Sequence, residues 1–520
     1  MDSYILTRVI FFPLVGAIAL LMFKKEQTLM IKSVGLFFSA ATFILSLFMY
    51  WNFNQDNSAM QFVHKISWIQ SLNISYNVGI DGLSLLLIML TTLLTPIALL
   101  SSWNSIEDKV KGYTMMILLL ETGMIGVFAS IDLFLFYIFW EAMLIPMYFI
   151  IGVWGGSNKI YAAVKFFLYT MAGSLLMLIA IVSLGYWASI LPGGQFTTEL
   201  QQLNIIGPQI PIGIQIWMFL AFTISFAIKV PLFPFHTWLP DAHVEAPTAG
   251  SVLLAGVLLK MGTYGLLRFC FPLFPSAALI FLPYLSTLAV IGIIYGALVS
   301  MVQTDMKKLV AYSSVSHLGF VVLGICSLTD EGIQGSIIQM VNHGLSTGAL
   351  FLMVGMIYER RHTRMISEFG GLAKVMPVFS TIFMIVSLSS IGLPGLNGFV
   401  GEFLILLGAF HSPFINKWFT IFAATGVIFA AVYLLWMYQR VIFGKITNAL
   451  NEKLNDLSWR EFALMVPIIL FIVWIGVYPG TFLKKSSLAA TKVVSVYTPQ
   501  QSPHALTLNR IDTRPADQPK

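Results

Sequence analysis

Long apolar stretches separated by short polar breaks run along almost the whole chain, for example at 80–100, 115–128 and 214–228. A helix needs roughly 20 apolar residues to cross a bilayer, so each such stretch predicts a transmembrane helix. The predicted fold class is an all-α polytopic membrane protein. The pattern predicts about fourteen spans, with approximate centres at residues 13, 41, 90, 121, 142, 175, 224, 260, 288, 316, 347, 390, 430 and 472.

Proline and glycine interrupt two of these predicted spans. The first interruption lies near 229–236 and contains Pro231 and Pro234, and the second lies near 391–402 and contains Gly392-Leu393-Pro394-Gly395. Proline removes a backbone donor and glycine lowers helix propensity, so both helices are expected to break within the membrane. Broken helices are tolerated there only where they are buried in protein or line a wet cavity.

The two interruptions each fall in the fourth helix of a five-helix block, at 112–271 and 275–443. Five crossings place the ends of a block on opposite sides of the membrane, so the tandem blocks must be inverted relative to each other. Inverted repeats with broken helices are typical of ion transporters. The other predicted segments are helices 1–3 at 1–111, a loop and last helix at 444–483, and a polar C-terminal tail at 484–520, expected to be extended or weakly ordered.

Composition and charge support a membrane location. Of the 520 residues, 58% are hydrophobic and only 10% are charged, whereas a soluble domain carries about 25% charged residues. This excludes a water-soluble enzyme, and the net charge of +6 gives no sign of nucleic-acid binding. Lysine and arginine concentrate in alternate loops, so the positive-inside rule predicts that these loops are cytoplasmic and that both termini lie outside. The basic loops are at 24–32, 107–111, 157–165, 305–308, 359–374 and 439–460.

The sequence offers no redox centre, nucleotide site or metal site of its own. The two cysteines, Cys270 and Cys326, are too few for an iron–sulfur cluster or a zinc site of the usual kind. Neither a phosphate-binding G-x-x-x-x-G-K-[ST] loop nor a dinucleotide fingerprint is present. The run 236–245 has two histidines seven residues apart, without the i, i+4 spacing of a zinc helix. It is expected to be a loop at the cytoplasmic mouth rather than a metal site.

Five ionisable residues lie inside predicted spans: Glu121, Glu141, Lys229, Lys260 and Glu402. A charge at the bilayer centre costs about 2.5–3.5 kcal/mol, so such residues are normally functional and paired internally. Burial lowers the pKa of a lysine and a nearby carboxylate raises it, so protonation of Glu141 would make Lys229 release its proton. Lys260 is the natural acceptor. The alternative interpretation is a set of salt bridges that only holds helices together.

Two histidines on neighbouring spans extend this set. His317 ends the polar stripe 312–317, and Gln339, His343 and Ser346 share one helical face. Histidines accompanied by hydroxyl and amide groups predict a hydrated proton path. Glu402, in the second broken helix, would end this path.

The remaining candidates are weaker. Glu121 follows three leucines at 118–120, and His236 lies seven residues after Lys229, on the same face only if the helix were unbroken. Asp81 and Asp132 lie near the ends of spans, where they are expected to be interfacial caps.

The segment 228–247 (IKVPLFPFHTWLPDAHVEAP) resembles the signature of the antiporter-like membrane subunits of respiratory complex I. The segments 139–141 (FWE) and 258–262 (LLKMG) are similar to the same family, and the resemblance extends over about 70–480. It implies a fourteen-helix fold with inverted five-helix repeats, in agreement with the independent count of apolar runs.

The resemblance also implies roles for individual residues. Glu141 and Lys229 match the coupled pair of the family, Lys260 its central relay, and His317 and His343 the connecting groups. Members differ at the second broken helix: L-type and N-type chains usually have lysine there, as do the related sodium/proton antiporter chains. Glu402 therefore resembles the glutamate-bearing type.

The function implied by the resemblance is that of a proton-translocating membrane-arm subunit of NADH:quinone oxidoreductase. Flavin, iron–sulfur clusters and quinone would be bound by partner subunits, and L-type and N-type chains would be neighbours. The expected location is the bacterial cytoplasmic membrane. The alternatives are a subunit of a multi-subunit sodium/proton antiporter, a subunit of a membrane-bound hydrogenase, and a purely structural membrane subunit.

Overall fold

The computed structural model describes residues 4–191 and 194–498, and helices make up most of this part. The elements, in chain order, are α1 (Ile5–Ala19), α2 (Thr28–Asn52), β1 (Gln61–Ile69), β2 (Ile74–Ile80), α3 (Gly82–Ser101), α4 (Val110–Ala129), α5 (Leu133–Ala142), α6 (Leu144–Trp154), α7 (Lys159–Ile190), α8 (Leu200–Ile206), α9 (Ile212–Lys229), α10 (Trp238–Glu245), α11 (Thr248–Leu273), α12 (Pro275–Met301), α13 (Met306–Cys326), α14 (Asp330–Arg361), α15 (Pro377–Ile391), α16 (Asn397–His411), α17 (Lys417–Ile442), α18 (Trp459–Val477) and α19 (Gly480–Ser495).

The helices agree with the predicted spans. In the described residues, 13 helical segments are long and apolar enough to cross a membrane, with α5 and α6 together forming one of them. The remaining predicted span, centred near residue 390, is occupied by the two shorter apolar helices α15 and α16. The all-α, fourteen-span prediction is therefore confirmed, including the breaks after Lys229 and at Gly392.

Two helices form the centre of the bundle. Every residue in the most apolar stretch of α11 and of α14 is buried, whereas only about a third of the corresponding stretch is buried in α2, α17 and α18. The peripheral helices turn apolar side chains outward, as expected for surfaces that contact lipid. Polar groups on α11 and α14 are consequently enclosed by protein.

The structure contains a small β-hairpin in addition to the predicted helices. Strands β1 and β2 pair in antiparallel register from Gln61↔Ile80 to Ile69↔Ile74. The hairpin lies on the side of the bundle that also carries α8 and α19, and this side is called the hairpin face. The opposite side, which carries α10, is called the α10 face.

The two aspartates expected to be caps do cap helices on the hairpin face. Asp81 Oδ1 accepts hydrogen bonds from the backbone N–H groups of Leu83 and Ser84 at 3.0 and 3.2 Å, at the start of α3. Asp132 Oδ1 accepts from Phe134 and Leu135 at 2.9 and 3.1 Å, at the start of α5. Both satisfy N–H groups that have no partner within their own helix.

The prediction of an extended polar tail is wrong for its first part. Residues 480–495 form the helix α19, which packs against the hairpin face. Its buried residues are Phe482, Ser486, Ala489 and Ala490, and this spacing of three to four residues gives the helix one face to bury. Serine and alanine supply most of that buried face, so the mean hydropathy of the segment is low and does not indicate a packed helix. Residues 499–520 lie outside the described residues.

Candidate functional site

The helix break after Lys229 results directly from Pro231. An α-helix would pair the N–H of residue 231 with Ala227, but proline has no N–H. Instead, the N–H of Leu232 donates to Ala227 O at 2.8 Å. The carbonyl of Ile228, left without its usual partner, accepts a hydrogen bond from Trp238 Nε1 at 2.9 Å. Trp238 therefore satisfies the broken end of α9 and holds α10 beside it.

Lys229 is completely buried at this broken end. Its side chain is 0% exposed, and its ammonium Nζ lies 5.4 Å from the ring centroids of both Trp140 and Phe166. The sulfur of Met143 lies 3.6 Å from Nζ. Aromatic faces and a thioether attract a cation weakly compared with water. Within the described residues, these recorded contacts of Nζ are with aromatic rings and a thioether, none of which is an anion.

Glu141 lies close to Lys229 but does not bond to it. It is half-buried near the end of α5, where the span bends at Met143 into α6. Its Oε1 is buried without a hydrogen-bond partner in the described residues. The carboxylate acts electrostatically on Lys229, and between these two residues the structure records no hydrogen bond or close ion pair. The carboxylate of Glu141 is therefore placed to act on the Lys229 ammonium through its charge, without a bond between them.

Lys260 lies at the middle of α11 and is 0% exposed. Its helix is locally widened on both sides, because Leu254–Leu258 and Leu266–Cys270 are π-helical. Such turns are frequent at functional sites in helices. The widened turn presents the carbonyl of Ala255 to Lys260 Nζ, which donates a hydrogen bond to it. Lys260 Nζ also lies 2.6 Å from His343 Nδ1 on α14.

The line of titratable groups continues from His343 across the centre of the bundle. The rings of His343 and His317 are 5.8 Å apart between centroids. His317 Nδ1 lies 2.9 Å from Glu402 Oε1, and both residues are buried. Gln339 Nε2 donates to the same carboxylate oxygen at 3.1 Å. The structure thus brings together four residues, Lys260, His343, His317 and Glu402. We call this set of residues the central line.

The second break positions Glu402 at the end of this line. Helix α15 ends at Ile391 and is capped by Gly392, which has a φ of 84° and therefore lies in the left-handed region that glycine tolerates. A Cβ at this position would lie 3.1 Å from Glu402 Oε2, so the glycine also leaves room for the carboxylate. Asn397, the first residue of α16, accepts from Ser389 Oγ at 2.5 Å and fixes the two half-helices to each other.

The two weaker candidates lie off the central line. Glu121 is 0% exposed, and neither of its carboxylate oxygens has a hydrogen-bond partner in the described residues. His236 is buried against the rings of Phe233 and Tyr295, at centroid distances of 5.7 and 5.0 Å. Burial, the largest influence, lowers the pKa of His236, which favours the neutral imidazole.

The segment 236–245, expected to be a loop, is largely the helix α10. This helix contains His243, which is not among the candidate residues named above. Its apolar residues Trp238, Leu239 and Ala242 share one face, which is a helical pattern, although Pro240 lies within the helix. His243 on this face is fully buried and stacks on Phe351 at 4.6 Å. Burial, followed by the positive charges of Lys307 and Lys260, lowers the pKa of His243 well below its usual value.

A change at Trp238 tests the account of the first break. Trp238→Phe removes the indole N–H and leaves the carbonyl of Ile228 buried without its donor, which costs about 1–3 kcal/mol of folding free energy. We expect faster thermal inactivation of NADH:quinone activity in solubilised membranes. Trp217→Phe is the control, because Trp217 is 74% exposed on the surface of α9. Equal inactivation rates for the two variants would contradict the proposed role of Trp238.

Residues 4–191 and 194–498 contain no group of three or more histidine, cysteine, aspartate or glutamate side chains that could hold a metal ion. Buried lysine, histidine and glutamate side chains inside a helical bundle with two broken spans are typical of ion transporters. The fold and site together define a multi-pass membrane protein of the ion-translocating class.

Comparison with known proteins identifies the family. The sequence model described as "NADH:quinone oxidoreductase/Mrp antiporter, TM" matches residues 130–430, so the chain belongs to this family. It is 47% identical over 457 residues to NADH-quinone oxidoreductase subunit M of Rhodobacter capsulatus, covering 86% of this chain and 87% of that protein. It is 44% identical over 485 residues to NADH-ubiquinone oxidoreductase chain 4 of Chondrus crispus, covering 93% and 96% of the two chains.

The fold is similar to a chain of the solved respiratory complex I from Thermus thermophilus with bound NADH. The TM-score is 0.84 with 31% sequence identity, and the match covers 94% of this chain and 99% of that chain.

Proposed function

We propose that this chain is the M-type subunit (subunit 4) of NADH:quinone oxidoreductase and translocates protons in its membrane arm. The observation that carries the proposal is the central line. Its residues Lys260, His343, His317 and Glu402 lie one after another in space across the middle of the bundle. Each group binds or releases a proton, and all four are buried. A purely structural subunit would have no need for titratable groups at the most costly position in the membrane.

The mechanism begins at Glu141 and Lys229. When Glu141 is ionised, it stabilises the ammonium of Lys229; when it is protonated or displaced, that support is lost and Lys229 releases its proton. A charge change propagated along the membrane arm would thus drive a proton from Lys229 toward Lys260. Moving one charge against 100 mV requires about 2.3 kcal/mol, which quinone reduction elsewhere in the complex supplies.

Within the central line, transfer follows the contacts. Lys260 passes a proton to His343 Nδ1, and His343 then passes one to His317 by rotation of a ring or through a bridging water. His317 and Glu402 share the last proton over their 2.9 Å contact. Because each group returns to its starting state after passing a proton on, the line conducts without net chemical change.

The chain acts as part of a translocase whose redox chemistry takes place elsewhere. Flavin, iron–sulfur clusters and quinone are proposed to lie in partner subunits, with L-type and N-type chains as membrane-arm neighbours. The proposed location is the bacterial cytoplasmic membrane. The basic loops lie on the α10 face, so the positive-inside rule makes that face cytoplasmic and the hairpin face external.

His317→Phe tests the proposal, because it removes both ring nitrogens while keeping a ring of similar size in the gap between His343 and Glu402. Loss of a positioned proton carrier typically slows transfer by 10²–10⁴-fold, so we expect NADH-driven proton uptake by inverted vesicles to fall by about tenfold or more. Proton uptake and NADH:quinone turnover are measured together, and a native gel checks complex assembly.

His411→Gln is the matched control, because His411 is exposed at the end of α16. Proton uptake equal to that of the unmodified complex in His317→Phe would refute the proposed path. Uptake of sodium with expulsion of protons in the absence of NADH would instead support the antiporter alternative.

A further inference from the structure

An apolar groove opens on the surface of the bundle between α2 and α18. Helix α3 packs against both of these helices, and α14 packs against α3 and α18 behind the groove. The groove has a volume of about 160 Å³, and its lining includes Phe43, Tyr50, Leu90, Val341, Leu345 and Trp474. An apolar cavity of this size stays dry and accepts apolar guests. We call it the α2–α18 groove.

The groove begins at the membrane interface on the hairpin face. Tyr50 and Trp51 lie in the last turn of α2, and Trp474 lies in the last turn of α18. Tryptophan and tyrosine collect at the level of lipid headgroups. From Tyr50 the groove descends to Phe43, seven residues earlier on α2, which is about 10 Å of helix. The hydrocarbon of one leaflet is about 15 Å thick, so the groove can hold most of one acyl chain.

A lysine lies at the interfacial end of the groove. Lys485 on α19 follows three residues after Phe482, which lines the groove. Its Nζ lies 5.2 Å from the ring centroid of Tyr50 and donates to Phe53 O at 3.0 Å. Asp56 is exposed and acts on Lys485 through its charge, and the ion pairs of the described residues do not include Lys485. An ammonium has three N–H donors, so donors remain for an anion at this end.

The floor of the groove is the back of the helix that carries His343. Val341 and Leu345 lie two residues before and after His343 on α14, so they point about 200° away from it around the helix. Both line the groove, whereas His343 contacts Lys260. A molecule in the groove therefore packs against α14 on the side opposite the central line.

Leu90 connects the groove with the spacing of α11 and α14. It lines the groove from α3, and a Cβ at Gly344 of α14 would lie 2.6 Å from its Cδ2. The same Cβ would lie 2.8 Å from the carbonyl oxygen of Gly256, so α14 and α11 meet backbone to backbone at this glycine. Gly256 lies four residues before Lys260. Pressure on Leu90 from the groove is thus passed to the place where the two central helices meet.

We propose that the α2–α18 groove binds a phospholipid from the leaflet on the hairpin face, with one acyl chain in the groove and the phosphate at Lys485. A phospholipid matches both ends, because its chain buries apolar surface and its phosphate accepts hydrogen bonds from an ammonium. The chain supports Leu90, Val341 and Leu345 from outside and holds α14 against α11. Binding does not depend on the proposed function, whereas the effect of this support on proton movement rests on it.

Photo-crosslinking measures binding to the purified complex. The probe is a phosphatidylethanolamine with a diazirine in one acyl chain, used below saturation, and labelled peptides are identified by mass spectrometry. We expect labelling of α2 and α18. Lys485→Gln removes the charge that holds the phosphate, so labelling is expected to fall by about tenfold. Lys484→Gln is the matched control, because Lys484 carries the same charge at the next, exposed position.

Two outcomes of this experiment would overturn the proposal. One is equal labelling of the Lys485→Gln and Lys484→Gln complexes. The other is the absence of labelling on α2 and α18 in the unmodified complex, which is the result expected if a partner subunit fills the groove.

Filling the groove is a second test that leaves Lys485 in place. Leu47 lines the groove on α2, and Leu47→Trp places a larger ring in the cavity, so labelling of α18 is expected to fall by about fivefold or more. Ile44→Trp is the control, because Ile44 lies on the same helix, is 64% exposed and is not part of the lining. Equal labelling of α18 in these two variants would overturn the groove as the site of the acyl chain.

The dependence of turnover on lipid measures the support of the central line. Detergent-washed complex is titrated with phosphatidylethanolamine while NADH:quinone turnover is recorded. Lys485→Gln is expected to need about tenfold more lipid for half-maximal turnover than Lys484→Gln, because its phosphate contact is lost. Equal lipid dependence in the two variants would overturn the supporting role of the lipid.

The outcomes separate this proposal from the proposed function. His317→Phe, measured in parallel, leaves pumping unchanged only if the central line is not the proton path, and photolabelling still tests the groove in that case. If His317→Phe abolishes pumping while Lys485→Gln and Leu47→Trp are labelled like the unmodified complex, the lipid site alone is wrong.

Discussion

Replacing Lys260 with methionine is expected to abolish proton translocation in an assembled complex and to lower NADH:quinone turnover by about tenfold or more. The proposed path depends most on Lys260, because this residue contacts His343 at 2.6 Å and occupies the middle of a fully buried helix. Methionine fills a similar volume without a titratable group, so the bundle should still pack. Turnover and proton uptake are measured on the same vesicles.

The control for this change is Lys417→Met, since Lys417 is exposed at the start of α17 on the hairpin face. Lys260→Arg adds a second comparison, because arginine keeps the charge but does not release its proton. We expect Lys260→Arg to pump no better than Lys260→Met. Normal pumping by Lys260→Arg would mean that Lys260 supplies a fixed charge rather than a proton relay.

Glu141→Gln is expected to abolish turnover and pumping together. The amide keeps the shape of the carboxyl group but cannot change its charge, so the electrostatic influence of Glu141 on Lys229 is fixed. Lys229 is surrounded by Trp140, Phe166 and Met143 and has no other carboxylate near enough to replace it in the described residues. Glu331→Gln, at an exposed position at the start of α14, is the matched control. Full turnover in Glu141→Gln would contradict the proposed control of Lys229 by the charge of Glu141.

The spans and the breaks could be predicted because they follow from backbone chemistry. Apolar length fixes the spans, and Pro231 and Gly392 fix the breaks through a missing donor and a positive φ. The histidines on α13 and α14 could be predicted from helical periodicity, and the structure brings His317 and His343 together. These features are local in sequence, which is why single-sequence reasoning finds them.

The remaining features depend on contacts that the sequence does not encode locally. No sequence signal marks the π-helical turns around Lys260, and the insertion of Met143 beside Lys229 depends on the bend between α5 and α6. His243 is an intermediate case, since the stripe formed by Trp238, Leu239 and Ala242 identifies its helix. The assigned roles of the central-line residues remain predictions until variants are measured.

The most direct test of the central claim is NADH-driven proton uptake, recorded with NADH:quinone turnover, in inverted vesicles that carry Glu141→Gln in a complex whose assembly is confirmed on a native gel. The account predicts loss of both activities. Unchanged rates of proton uptake and of NADH oxidation would contradict it and would remove Glu141 and Lys229 from the proton path.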